Sequence, residues 1–132
     1  MENEKGDLKS LAQIKELVDL FYGKVRMDPL IGPIFEGKLK GNWDKHLEKM
    51  YQFWQTVLLS QHTYYGSPFP PHANLPIDQN HFERWLMLFQ ETLRENFFGD
   101  KANEAMWRAS KMAEMFQLKI AYYQNKNISP LG

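Results

Sequence analysis

The sequence predicts an all-α fold built as one domain. Three observations carry this. Four segments repeat apolar residues every three or four positions, the period of one helix face. No stretch alternates apolar and polar residues convincingly in the manner of a half-buried strand. Glycine and proline gather between the periodic segments, where they mark connections. At 132 residues the chain fits one domain over 1–132, and a hydrophobic share of 43% is enough to bury a core. Residues 1–9 and 125–132 are expected to be flexible tails.

The first helix is expected in "SLAQIKELVDLFYGKVRM", where Leu11, Ile14, Val18, Phe21, Tyr22 and Val25 share a face and Ser10 with Gln13 offers a capping box. The next stretch, "DPLIGPIFEGKLKGN", carries two prolines and three glycines and reads as turn and loop. Asn42 is placed to cap the second helix, "WDKHLEKMYQFWQTVLLSQ". There His46, Met50, Phe53, Trp54 and Val57 share one face, while Trp43, Leu47, Tyr51 and Leu58 fill the adjacent stripe. A helix apolar over more than half its girth should touch two partners. The connection over 61–77 is long for a compact domain and holds four prolines, at 68, 70, 71 and 76, on both sides of His72. Asp78 can cap "QNHFERWLMLFQETLRENFF", with a stripe of Phe82, Trp85, Leu86, Phe89 and Leu93, and Gly99 is a stop signal. The last helix aligns Ala102, Ala105, Ala109, Met112, Phe116, Ile120 and Tyr123.

Composition narrows the function classes. Sixteen basic and sixteen acidic residues give a formal net charge of +0, which offers no electrostatic basis for nucleic acid or an anionic membrane. The absence of cysteine excludes disulfides, thiolate metal sites and a cysteine nucleophile. The polar start "MENEKGDLKS" is not a signal peptide, and no apolar run approaches the ~18 residues of a membrane span, so a cytoplasmic protein is expected.

Motifs of common enzyme classes are missing: there is no GxxxxGK[ST], no GxGxxG after a strand, no HExxH and no GxSxG. Bundle di-iron sites need paired Glu-x-x-His motifs. The nearest approach, Asp78-x-x-His81, lies at a helix start, where a capping role is the simpler reading. What remains is a set of single polar groups on apolar faces: Tyr22, His46 and Trp85 on helices, and His72 in the proline-rich connection. Taken singly, a core Tyr or Trp packs, and a His near a helix start is solvated. Taken together they fit one chemistry. A haem needs one neutral imidazole on one side of its iron, a flat apolar slot, and hydrogen-bond donors on the other side. Met50, Phe53 and Trp54 would supply slot wall.

The stretches "FYGKVRMDPLIGPIF", "WDKHLEKMYQFW", "YGSPFPPHANLPI" and "HFERWLMLFQETL" resemble the group III truncated haemoglobins, a branch of the bacterial truncated globins, in the same order and at similar spacing from about Leu17 to Phe116. The resemblance implies a two-over-two helical sandwich around haem b (iron protoporphyrin IX). It assigns His72 as the proximal iron ligand and leaves the iron five-coordinate. Tyr22, His46 and Trp85 match distal positions that face a ligand, with His46 able to act as a gate. Phe35 matches a residue stacked on the haem, Met50 sits over it, and Lys49 matches a position that can meet a haem propionate. Phe53, Phe69 and Leu75 are further candidates for haem contact. The function implied is binding of O₂ and other diatomic ligands, including CO and NO. An alternative uses the same residues as an enzyme, for O₂-dependent oxidation of nitric oxide or peroxide chemistry, with a separate reductase. A third reading, a helical interaction module whose aromatics are only core, would give no Soret band.

Overall fold

The computed structural model describes residues 5–66 and 75–126. Five helices follow in order: α1 (Leu11–Met27), α2 (Gly32–Leu39), α3 (Trp43–Leu59), α4 (Gln79–Asn96) and α5 (Asp100–Lys126). Helix α1 packs on α2, α3 and α4, α4 packs on α5, and α3 touches α5. The result is a two-over-two helical sandwich, α1 and α3 against α4 and α5. Among the described residues no strand forms, and no helix is long and apolar enough to cross a membrane.

Four helices lie where the apolar period places them. The inward face of α1, Ile14, Leu17, Val18, Phe21, Tyr22 and Val25, is buried. Phe21 and Phe89 are almost wholly removed from solvent and meet edge to face at 5.1 Å. Each such side chain contributes roughly 1.5–3 kcal/mol by burial. The core divides into a main cluster and a smaller one of Ile77, Phe82, Ala113, Phe116 and Ile120 toward the far end of α5.

Helix α2 corrects the expectation of a loop over 28–42. Pro33 stands in the first turn of α2, where an N–H would have no intrahelical partner in any case. The buried Asp28 carboxylate accepts from the N–H groups of Leu30 and Ile31, both at 3.0 Å, and so shapes the entry to the helix. Gly32 allows a close approach to α1, since a Cβ there would lie 2.9 Å from the Val25 carbonyl oxygen.

Caps also differ from expectation at two helices. Ser10 Oγ bonds to the Gln13 side chain, and neither Ser10 nor Asn42 caps a backbone N–H. Asp78 does cap α4. Helix α5 is capped from across the chain. Asp7 accepts from Lys101 N–H at 3.0 Å and Ala102 N–H at 2.9 Å, while Leu8 beside it is fully buried and Gly6 O accepts from Phe98 N–H. Residues 6–8, counted above with a flexible tail, are thus docked on the body. Gly99, expected as a stop for α4, sits instead at the start of α5, where its carbonyl receives Asn103 N–H.

Candidate functional site

A cavity of about 640 Å³ opens between the two core clusters and takes a wall from every helix. Its volume falls in the usual range for small-molecule and cofactor sites, ~300–1,000 Å³. Each helix reaches it through its inward stripe. Helix α1 contributes Tyr22, and α2 contributes Ile34 and Phe35, with Ile31 just before it. Helix α3 contributes His46, Met50 and Phe53, spaced four and three residues apart on one face. Helix α4 contributes His81, Phe82 and Trp85, and α5 contributes Met112, Ala113 and Phe116.

Of the residues singled out in the sequence, Tyr22, Phe35, His46, Lys49, Met50, Phe53, Leu75 and Trp85 all line this cavity. His72 and Phe69 lie outside the described residues, so the proximal assignment is not placed here. Trp54 lines the cavity while packing in the core, stacked on Phe89 at 5.2 Å.

The polar groups are held by aromatic contacts. The Tyr22 ring meets His46 at 4.9 Å and Phe35 at 5.7 Å, both edge to face. Tyr22 is 5% exposed, and burial pushes its phenol well above the usual tyrosine range, so it remains an O–H donor into alkaline pH as well. His46 also meets Phe35 and Trp43, and its Nε2 is buried. Trp43 is itself fixed, its Nε1–H donating to Glu36 at 2.8 Å with the Arg26 guanidinium over its ring. Trp85 lies parallel to Phe89 at 5.6 Å and edge-on to Phe21 at 5.5 Å, which fixes the plane of its indole.

The mouth of the cavity holds residues the sequence did not single out. Lys38 and Lys45 join Lys49 along the lip made by α2 and α3. Lys45 and Lys49 are four apart on one helix face, a spacing equally typical of solvated lysines. Tyr64 lines the wall beyond Phe53, which its ring meets edge to face at 5.5 Å, and Thr56 Oγ1 holds its backbone N–H at 2.9 Å. His81 both lines the cavity and closes the α4 cap through its Nδ1, which accepts from Asp78 N–H at 3.1 Å.

This donor set fits a haem. The slot wall is largely aromatic and aliphatic, the polar hydrogens of Tyr22, His46 and Trp85 reach it from α1, α3 and α4, and its mouth carries lysines that suit two carboxylates.

Comparison with known proteins agrees. Residues 8–120 match the bacterial-like globin family. The chain is 37% identical over 114 residues to "Group 3 truncated hemoglobin ctb" of Campylobacter jejuni, covering 83% of this chain and 90% of that protein. It also superimposes on a crystal structure of the group III truncated hemoglobin from Campylobacter jejuni with a TM-score of 0.82, at 34% identity, over 89% of this chain and 95% of the other. The chain belongs to the bacterial-like globin family and, within it, to the group III truncated haemoglobins, a membership that brings with it a haem cofactor and the binding of small ligands.

Proposed function

We propose that this globin binds O₂ at a five-coordinate haem b held by His72, in a distal pocket whose hydrogen bonds come from Tyr22 and Trp85. When bound, the haem supplies an iron that takes a diatomic ligand. The residues of the chain do the rest. Tyr22 O–H and Trp85 Nε1–H donate to a partly charged ligand, each from a ring that its neighbours hold in one orientation. Phe35, Met50, Phe53, Phe69 and Leu75 exclude water from the slot. Lys49, with Lys38 and Lys45, pairs with the haem carboxylates at the mouth. His46 stands between the phenol and the lysine lip, where its movement would open or close a path for the ligand.

The observation that carries this reading is the convergence of Tyr22, His46 and Trp85, from three helices, on one apolar cavity. The test is rapid mixing of the oxygenated protein with a ligand trap, comparing wild type with Tyr22→Phe. A faster O₂ release in the variant supports the polar pocket, and equal rates reject it.

A further inference from the structure

We infer that His81 is a second anchor for the bound group, offering its Nε2–H to a haem carboxylate from the α4 side of the cavity mouth. The inference rests on the haem reading above and deepens it.

The chemistry of the imidazole is constrained by the cap it closes. In the neutral ring Nδ1 accepts from Asp78 N–H at 3.1 Å, which leaves the ring proton on Nε2. In the imidazolium Nδ1–H instead faces Asp78 Oδ1, also at 3.1 Å, and Nε2 again carries a proton. Both states present a donor at Nε2 and neither presents a lone pair. His81 is therefore suited to hold an acceptor and unsuited to ligate iron while the cap is intact. Asp78 acts as the positioning residue, because its backbone and carboxylate fix the ring at the first turn of α4.

Location selects the acceptor. The His81 side chain is 19% exposed, so it stands where the cavity meets solvent rather than at its floor. Its neighbours in the lining, Leu75, Ile77 and Phe82, offer it no acceptor from their side chains. Among the described lining residues of α4 and α5, only His81 and Trp85 carry a polar side-chain hydrogen. Trp85 is one turn deeper and packed on Phe89. A haem carries its two carboxylates on one edge, and Lys38, Lys45 and Lys49 line the cavity from α2 and α3. His81 gives the α4 lip a donor of its own.

The test measures transfer of haem from the holoprotein to an excess of apomyoglobin, for wild type, His81→Gln and His81→Glu. Gln and Glu are the residues that ordinarily close a capping box, so both keep the helix start while removing the imidazole. His81→Glu, which keeps the cap but has no donor and opposes a carboxylate with a like charge, is expected to lose haem at least about tenfold faster, and His81→Gln, whose amide N–H still donates, is expected to lose it faster than wild type by less than that. The ferrous and ligand-bound spectra should be unchanged, as should hydrogen exchange at the first-turn amides of α4. Haem loss at the wild-type rate in both variants overturns the inference and leaves His81 as a cap only. Faster loss with exposed first-turn amides overturns it as well, and an altered coordination spectrum in His81→Gln would make His81 an iron ligand instead. A wild-type protein without a Soret band would reject the haem reading before any variant is compared.

Discussion

The rings of Tyr22 and His46 meet edge to face, with centroids 4.9 Å apart and planes at 90°. This contact joins α1 to α3 at the polar end of the cavity, and it sets a hydrogen-bond donor against the imidazole proposed above as a gate. Burial keeps the Tyr22 phenol protonated, so it donates across the neutral range. A hydrogen bond to a partly charged acceptor contributes roughly 1.5–3 kcal/mol. At about 1.4 kcal/mol per decade, Tyr22→Phe or Trp85→Phe should speed O₂ release about ten- to a hundredfold. The double variant should fall short of the product, because both donors address one ligand. Stopped-flow O₂ release measures all three.

The same burial makes a pH prediction. An ordinary tyrosine is half ionised near 10.0, and the shift at Tyr22 is upward. The donor therefore persists as pH rises through that value, and the O₂ release rate of wild type should be flat from pH 7 to 10. A release rate that climbs on approach to pH 10 would show a phenol exposed to solvent.

Iron ligation is expected to depend on His72 and not on His81. Replacement His72→Ala should abolish the imidazole-ligated ferrous spectrum, and added imidazole should restore it. His81→Ala should keep the spectrum, since the capping contact at Nδ1 leaves Nε2 protonated. The reversed pattern would exchange the two assignments.

Much of the fold could be read from periodicity, and the exceptions have local physical causes. Helices α1, α3, α4 and α5 announce themselves because their buried residues recur every three or four positions over long spans. Helix α2 is eight residues long and starts Gly-Pro, which in isolation spells a turn. It forms because Asp28 takes up the entering N–H groups and because Gly32 lets it close on α1. The Asp7 cap could not be seen locally, as 94 positions separate the carboxylate from the Lys101 N–H. At the site, periodicity puts Tyr22 and Trp85 on buried faces, but only the resemblance to a globin family turns them from packing into chemistry. Lys38 and Lys45 resemble any exposed lysines until the fold gathers them at one mouth.

Asp7 and Gly99 form a lock at the start of α5. A Cβ on Gly99 would lie 2.5 Å from Asp7 Cγ, and Gly99 holds a φ of +141° that other residues rarely adopt. Loss of the cap in Asp7→Ala should cost about 0.5–2 kcal/mol of stability at pH 7. Partial burial pulls the Asp7 carboxyl upward, but N–H bonds from Lys101, Leu8 and Ala102 outweigh it and hold its pKa below 3.8. A carboxyl with a depressed pKa in the folded state stabilises above its unfolded pKa and loses that contribution as pH falls through the folded one. The charge-dependent part of the Asp7→Ala deficit should thus be constant above about pH 5 and shrink below about pH 3.8. Gly99→Ala should destabilise too, by less in an Asp7→Gly background, where the carboxylate it collides with is gone. Urea melts of the single and double variants give both comparisons.

His46 offers the sharpest separation of two roles. It lines the cavity beside Tyr22, Phe35 and Trp43, and its sequence neighbour Lys45 and the nearby Lys49 stand at the mouth. An imidazole at that boundary acts as a gate if it must move for a ligand to pass, or as a donor if it bonds to the ligand once inside. A gate alters entry and exit together. A donor alters exit alone, because only exit breaks the bond. CO gains little from hydrogen bonding, so its association rate reports the path rather than the pocket's polarity. His46→Leu keeps a side chain of similar bulk and removes the polar ring, while His46→Ala opens the space. We expect CO association to change in both variants, more steeply for Ala, and O₂ release to change less than in Tyr22→Phe. Equal CO association across wild type and both variants would remove His46 from the path. A large change in O₂ release at constant CO association would make it a third donor to the ligand.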